Sequence, residues 1–247
     1  MSSPTNTYGQ PIGPALPHWS ARERPGNVTL EGRFCRLEPL SASRHAASLY
    51  DAYAQADDPR DWTYMFVGPF ENEALFLQYM STLEQSQDPK HYAVIDAVTG
   101  KAVGSLSLMR IEPTHGVIEV GHVMFSPLMK QKPASTEAQF LLMRYVFDVL
   151  KYRRYEWKCD SLNAPSRKTA QRLGFSFEGI FRQAVVYKGR SRDTAWFSII
   201  DSEWPAIGKA FVHWLSPSNF DDQGQQVQSL SSLRSAGAST HDGQAHP

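Results

Sequence analysis

Apolar and polar residues change period several times along this chain, and each change marks an element. Residues 34–38 (F-C-R-L-E) alternate, which predicts a strand. Ser41 then stands as a cap before a helix to about Ala56, with Ala46, Ala47, Leu49, Tyr50 and Tyr53 on its apolar side. An irregular aromatic stretch follows, D-D-P-R-D-W-T-Y-M-F-V-G-P-F at residues 57–70. A second helix is expected from about Glu71 to Glu84, because Leu75, Phe76, Tyr79, Met80 and Leu83 recur at helical spacing. Strands are expected at about 91–97, 102–110 and 117–125, divided by Thr99-Gly100 and Thr114-His115-Gly116. The broadest apolar stripe lies at 136–151, where Ala138, Leu141, Leu142, Tyr145, Val146, Val149 and Leu150 share one side of a helix.

Period two returns at 154–160 and leads into Cys159–Gly179, C-D-S-L-N-A-P-S-R-K-T-A-Q-R-L-G-F-S-F-E-G. Asn163 is a good N-cap, Pro165 fits a first helical turn, and Gly174 suits a left-handed C-cap. Phe175 and Phe177 then alternate with Ser176 and Glu178, so this segment reads as strand, short helix, strand. That strand reaches Tyr187, K-G-R turns it, and D-T-A-W-F-S-I-I forms the last strand before a short helix at 204–215. The order β-α-α-β-β-β-α-β-α-β-β is that of a single α+β domain with helices on both faces of its sheet.

Residues 1–28 contain five prolines and read as an extended arm, pinned by Leu16 and Trp19. The domain itself spans 29–215. Residues 216–247, rich in Ser, Gln, Gly, Asp and Ala, are expected to be a disordered tail. An apolar content of 41% supports a core, and 25 basic residues against 25 acidic ones offer no bulk charge for nucleic acid or an acidic membrane. Two cysteines, Cys35 and Cys159, are too few for a disulfide scaffold and sit in strands, as buried thiols would. No apolar run is long enough to span a membrane and the first residues lack a signal-peptide pattern, so a cytoplasmic location is expected.

The run N-A-P-S-R-K-T-A-Q-R-L-G-F-S-F-E-G, taken with the flanking elements over residues 30–204, resembles the GCN5-related N-acetyltransferases. It is most similar to the branch of the ribosomal-protein alanine acetyltransferases. The arm G-Q-P-I-G…L-P and the run F-R-Q…K-G-R…D-T-A-W-F-S-I resemble a group near the microcin C self-immunity acetyltransferases. The resemblance implies a mixed, mostly antiparallel sheet, acetyl-CoA as co-substrate, no metal, and an amine acceptor that is a small molecule or a peptide. It implies a monomer or homodimer.

Several residues acquire candidate roles from that resemblance. The family's phosphate loop falls on Lys130-Gln131-Lys132-Pro133-Ala134-Ser135, followed by Thr136. Lys130 stands where Gln or Arg is usual, and Pro133 replaces a glycine and offers no N–H. Lys130, Ala134, Ser135 and Thr136 remain as donors at a helix entrance. The backbone of Met124 and Phe125 would pair with the pantetheine arm, and Asn163 would face it from the next strand. Ser166 would stand near the leaving sulfur, and Glu119 would take the amine's proton through a water. Trp62, Tyr64 and Arg182 would hold the acceptor, with Gln183 and Tyr187 closing the pocket.

Each role has a plainer alternative. Asn163 and Ser166 can simply cap a helix, and Ser135 and Thr136 another. Glu119 can be a strand carboxylate paired to Lys or Arg, the aromatic loop can be a plug, and Arg182 can bridge to Glu178. His122 lies at odd spacing from Glu119, so it packs on the other side of the strand unless a bulge intervenes. The expected activity is direct acetyl transfer to a primary amine of a small molecule or aminoacyl compound. The alternatives are a protein N-terminal acetyltransferase and a non-catalytic module that binds CoA or a peptide.

Overall fold

The computed structural model describes residues 4–239. In chain order the strands are β1 (Leu30–Glu31), β2 (Cys35–Pro39), β3 (Lys90–Asp96), β4 (Ala102–Glu112), β5 (Val117–Phe125), β6 (Arg154–Asp160), β7 (Ser176–Tyr187) and β8 (Arg190–Ile200). The helices are α1 (Ala42–Tyr53), α2 (Glu73–Gln85), α3 (Pro133–Arg144), α4 (Ala164–Leu173), α5 (Trp204–Trp214) and α6 (Leu230–Ser239). The strands form one sheet in the order β1-β2-β3-β4-β5-β6-β8-β7. Every neighbouring pair is antiparallel except β5 and β6, which are parallel and need the α3 crossover between them.

Side-chain alternation on β3 divides the interior in two. Tyr92 and Val94 enter the main core with residues of α3, α4 and α5, whereas Ala93 and Ile95 face the opposite core with Leu49, Phe76 and Met80 from α1 and α2. Helices therefore cover both faces, and the fold is α+β, as the pattern predicts. Cys35 and Cys159 are buried free thiols.

Both boundaries of α3 differ from expectation. The α3 helix starts at Pro133 rather than 136, because proline suits a first helical position; it ends at Arg144 and continues as one π turn, Tyr145–Val149. Trp19 pins the N-terminal arm by donating its indole N–H to the Thr114 carbonyl at 2.8 Å. Leu16 is half exposed and pins nothing.

The tail is the larger correction. Residues 216–239, expected to be disordered, pack on the domain: Phe220 meets Phe34 and Trp214, and Leu230 of α6 is 1% exposed. Asn219 holds the segment by donating to the Trp214 and Gln228 carbonyls and accepting from the Gln228 amide. A few well-placed residues do this in a stretch whose average composition is polar. Residues 240–247 of the expected tail lie outside the described residues.

Candidate active site

The two parallel strands begin together and then separate. β5 and β6 pair only from Val117–Arg154 to Val120–Trp157, although β5 continues to Phe125 and β6 to Asp160. The cause lies on β5. Gly121 faces Ser107 and Met124 faces Ser105, so His122 and Val123 together stand against one residue of β4. His122 takes a φ of +50°, the signature of a bulge. Gly121 allows the close approach: a Cβ there would lie 2.2 Å from the Met109 sulfur. The bulge brings Glu119 and His122 to the wall of one cavity, so the expectation that they part company does not hold.

That cavity has a volume of about 880 Å³ and runs from the start of α3 to Glu119. At one end the loop before α3 spends part of its N–H set on itself. The Lys130 and Lys132 amides close turns onto the Ser126 and Met129 carbonyls, and those of Gln131 and Ala134 have no partner among the described residues. Pro133 sits inside the first turn of α3, where no N–H is missed. Arg172 of α4 donates to Thr136 Oγ1 at 3.0 Å, makes no ion pair among the described residues, and lies over the Trp214 ring. Gln139 lines the same wall with a side chain 1% exposed, and neither its Oε1 nor its Nε2 has a hydrogen-bond partner. Trp214, Phe220, Gln225 and Gln226 complete this end from the C-terminal segment. Free amides, an unpaired guanidinium and an orphaned buried amide are a donor set suited to phosphates and a nucleotide.

The middle of the cavity belongs to α4. Asn163 caps that helix by accepting the Ser166 amide at 3.1 Å, and both side chains line the cavity. Ser166 Oγ accepts the Trp157 indole N–H at 3.0 Å, and its hydroxyl is also within hydrogen-bonding reach of the Cys159 thiol.

At the other end, a row of charges crosses the face of β5, β6 and β7. Lys158 Nζ bridges Glu119 at 2.7 Å and Glu156 at 2.6 Å, and lies 3.8 Å from the centre of the Trp196 ring. Arg110 approaches Glu119 at 3.3 Å, and Arg154 joins Glu156 to Glu178. Burial raises the Glu119 pKa, and the Lys158 ammonium only partly opposes it. Burial also pushes Glu156 up, but hydrogen bonds from Lys158 and Arg154 outweigh it and hold that carboxyl below its ordinary value. Glu119 Oε2 is engaged and Oε1 accepts nothing from the described residues. Over this end the 57–70 loop is tied to the far strands. Tyr64 donates to the Leu162 carbonyl, Phe66 packs on Tyr187, and Lys188 donates to the Trp62 and Gly68 carbonyls.

The structure separates the expected site residues into two groups. Glu119, Tyr64, Phe125, Lys130, Ser135, Thr136, Asn163 and Ser166 line the cavity. Lys130 arrives already paired with Asp61. Met124 does not line it, and its carbonyl accepts the Tyr53 hydroxyl. The Ala134 side chain is buried in the main core, so only its amide is available. Trp62 packs edge-on against Tyr53 and Phe70 beside a second, smaller cavity, which makes it part of a plug. Arg182 is exposed on β7, away from the cavity, and Glu178 pairs with Arg154 instead.

Comparison with known proteins agrees with this geometry. Residues 35–176, more than half of the chain, match the model of the Acetyltransferase (GNAT) domain. The chain belongs to the GNAT acetyltransferase family. The crystal structure of a GCN5-related N-acetyltransferase from Brucella melitensis is 50% identical, with a TM-score of 0.88 over 89% of this chain and 100% of that one. An uncharacterized N-acetyltransferase p20 of Bacillus licheniformis is 28% identical over 150 residues, 60% of this chain and 84% of that protein. The structure of RimL, a ribosomal L7/L12 α-N-protein acetyltransferase, is 19% identical over 70% of this chain and 94% of that one, with a TM-score of 0.59, and so shares the fold.

As a GNAT member the protein is an acyltransferase, and GNAT enzymes use acetyl-CoA. Among the described residues no helix is long and apolar enough to cross a membrane, and no group of His, Cys, Asp and Glu is placed to hold a metal. Sequence reasoning missed Gln139, Arg172 and Arg192. Arg172 was visible inside the α4 motif as one of several surface cations. Only the fold shows that it turns inward.

Proposed function

We propose that this protein transfers an acetyl group from acetyl-CoA directly to a primary amine of a small molecule or aminoacyl compound. The observation that carries this reading is the parting of β5 and β6 into one continuous cavity, with phosphate-suited donors at one end and a buried carboxylate at the other. Acetyl-CoA, when bound, supplies an activated thioester. Lys132, Gln131, Ala134, Thr136 and Arg172 would hold its phosphates, and the Phe125 backbone with Asn163 would hold its amide-bearing arm. Glu119 Oε1 would accept the amine's proton through a water as nitrogen bonds to the acetyl carbon. Ser166 would pass a proton to the sulfur as the C–S bond breaks and regain one through water from the protonated Glu119, so the proton lost by nitrogen balances the proton gained by sulfur.

No enzyme thiol enters this scheme. Cys159 is buried, and burial raises its pKa, so the thiolate a covalent intermediate requires is disfavoured. The loop contacts that roof the acceptor end favour a compact acceptor over the open groove that a protein N-terminus needs.

Two measurements test this reading. Calorimetric titration should show acetyl-CoA binding with roughly micromolar affinity, about −8 kcal/mol. A panel of small amines, aminoacyl compounds and N-terminal peptides should then release free CoA from acetyl-CoA, fastest with the small acceptors. Faster turnover of the peptides would transfer the proposal to protein N-terminal acetylation, and no binding of acetyl-CoA or CoA would remove it.

A further inference from the structure

Antiparallel pairing places Arg192, Thr194 and Trp196 of β8 on the same face of the sheet as Asp160 and Lys158 of β6. Each of the three carries a buried polar atom with no partner: Arg192 Nε, Thr194 Oγ1 and Trp196 Nε1. The next residue in the row, Ser198, donates to Glu178 at 2.7 Å, so the deficit is confined to the stretch that approaches the cavity. Buried donors without partners are rare in folded chains, and three in succession along one strand mark a place where something else supplies the acceptor.

Arg192 is the sharpest of the three. It is 8% exposed, lines the cavity, and makes neither a hydrogen bond nor an ion pair among the described residues. Its guanidinium lies beside the paired rings of Phe66 and Tyr187, 5.5 and 5.9 Å from their centres, which orients it without neutralising it. The carboxylates that line the cavity are all engaged elsewhere. Asp61 pairs with Lys130 and Glu119 with Lys158, while Asp160 accepts the Tyr187 hydroxyl and the Leu162 amide, each at 2.9 Å. A nearly buried cation to which no carboxylate is bonded is incompletely satisfied by the chain alone, and an anionic ligand completes it. The contact with Phe66 puts Arg192 under the same loop that roofs the acceptor end.

We infer that Arg192, with the Thr194 hydroxyl beside it, anchors an anionic group on the acceptor, so that the substrates are amines bearing a carboxylate or a phosphate. This rests on the acetyl-transfer reading above for the word acceptor, but the anion site stands on the geometry of β8 alone. Carboxylate and phosphate share the fork-shaped chemistry a guanidinium recognises.

The test uses matched pairs of primary amines and two readouts. Phenylalanine is compared with phenylalanine amide, and phosphoethanolamine with ethanolamine, by calorimetric titration into the CoA-loaded protein. The anionic member of at least one pair should bind about 10- to 100-fold more tightly, the range of a charge-assisted hydrogen bond, and the pair that shows it names the anion. Arg192→Met should erase that preference while leaving the melting temperature unchanged or higher, since the arginine has no hydrogen bond or ion pair to lose and methionine can keep its contact with the Phe66 and Tyr187 rings. A role confined to packing would lower the melting temperature instead. Arg192→Lys should keep part of the preference. Equal binding within both pairs, or a preference that survives Arg192→Met, overturns the inference. Free-CoA release with the same four amines separates the two claims. Anion-selective binding without release removes the transfer reading and keeps the anion site. Release that ignores acceptor charge keeps the transfer reading and removes the site.

Discussion

Glu137 and Glu119 are buried almost equally, at 3% and 5% exposure, and are satisfied in opposite ways. Glu137 projects from α3 and accepts three backbone amides, from Arg33, Phe34 and Cys35, at 2.8, 2.6 and 2.8 Å. Gly32 makes room for it, since a Cβ there would lie 2.6 Å from the carboxylate. All of its partners are peptide groups held by the fold, so this carboxylate is a fastener between α3 and the start of β2. Glu119 is balanced by the side-chain ammonium of Lys158, has one oxygen with no bond to the described residues, and faces a cavity. Burial without full satisfaction is what raises its pKa, and it is what makes a carboxylate useful as a base. The same contrast separates Lys158, bonded to two carboxylates, from Arg192, bonded to none.

The widest break between the two carboxylates should come from Glu137→Ala. It strands three buried amides and should cost about 3–5 kcal/mol of stability in urea unfolding, with activity per folded molecule retained. A loss below about 1 kcal/mol would mean that the amides find other partners.

Glu119→Gln should do the reverse, leaving stability little changed and lowering turnover about 100-fold near neutral pH. The defect should shrink at high pH, where the amine is already neutral. In the unaltered enzyme the base must be ionised, so kcat/KM should rise with pH through a value above the ordinary carboxylate range, because burial raises the Glu119 pKa. The variant should lack that limb of the profile. Full activity at every pH removes Glu119 from the mechanism.

Trp62→Ala sharpens the boundary of the site. Trp62 packs with Tyr53 and Phe70 in the plug, so the change should lower stability by about 2 kcal/mol and leave the acceptor KM as it was. A raised KM would extend the acceptor end into the second cavity.

Asn163→Ala carries the smallest stability effect, about 1 kcal/mol for a lost helix cap. Its acetyl-CoA affinity should fall as well, measured by calorimetry on the folded variant. If affinity holds while the cap is lost, Asn163 is a cap and nothing more.

The sequence by itself determined the elements from β2 to α5 and their order. Helical and strand periods are local properties, set by which side of each element must be apolar, and the caps at Asn163 and Gly174 are chemistry within a few residues. The α4 motif was legible for the same reason: Asn163, Ser166 and Gly174 lie in one short stretch whose backbone dictates where they point. What only the tertiary structure decided depends on residues far apart in the chain. The bulge at His122 has no signature in its own strand and follows from the register with β4. Arg182 and Arg192 are equally basic in sequence, yet an exposed edge strand carries one and the row facing β6 carries the other. Trp62 and Tyr64 are neighbours in one loop and end on different cavities. Phe220 and Leu230 made an ordered segment out of a polar tail because burial depends on where a side chain lands, not on the average of those around it.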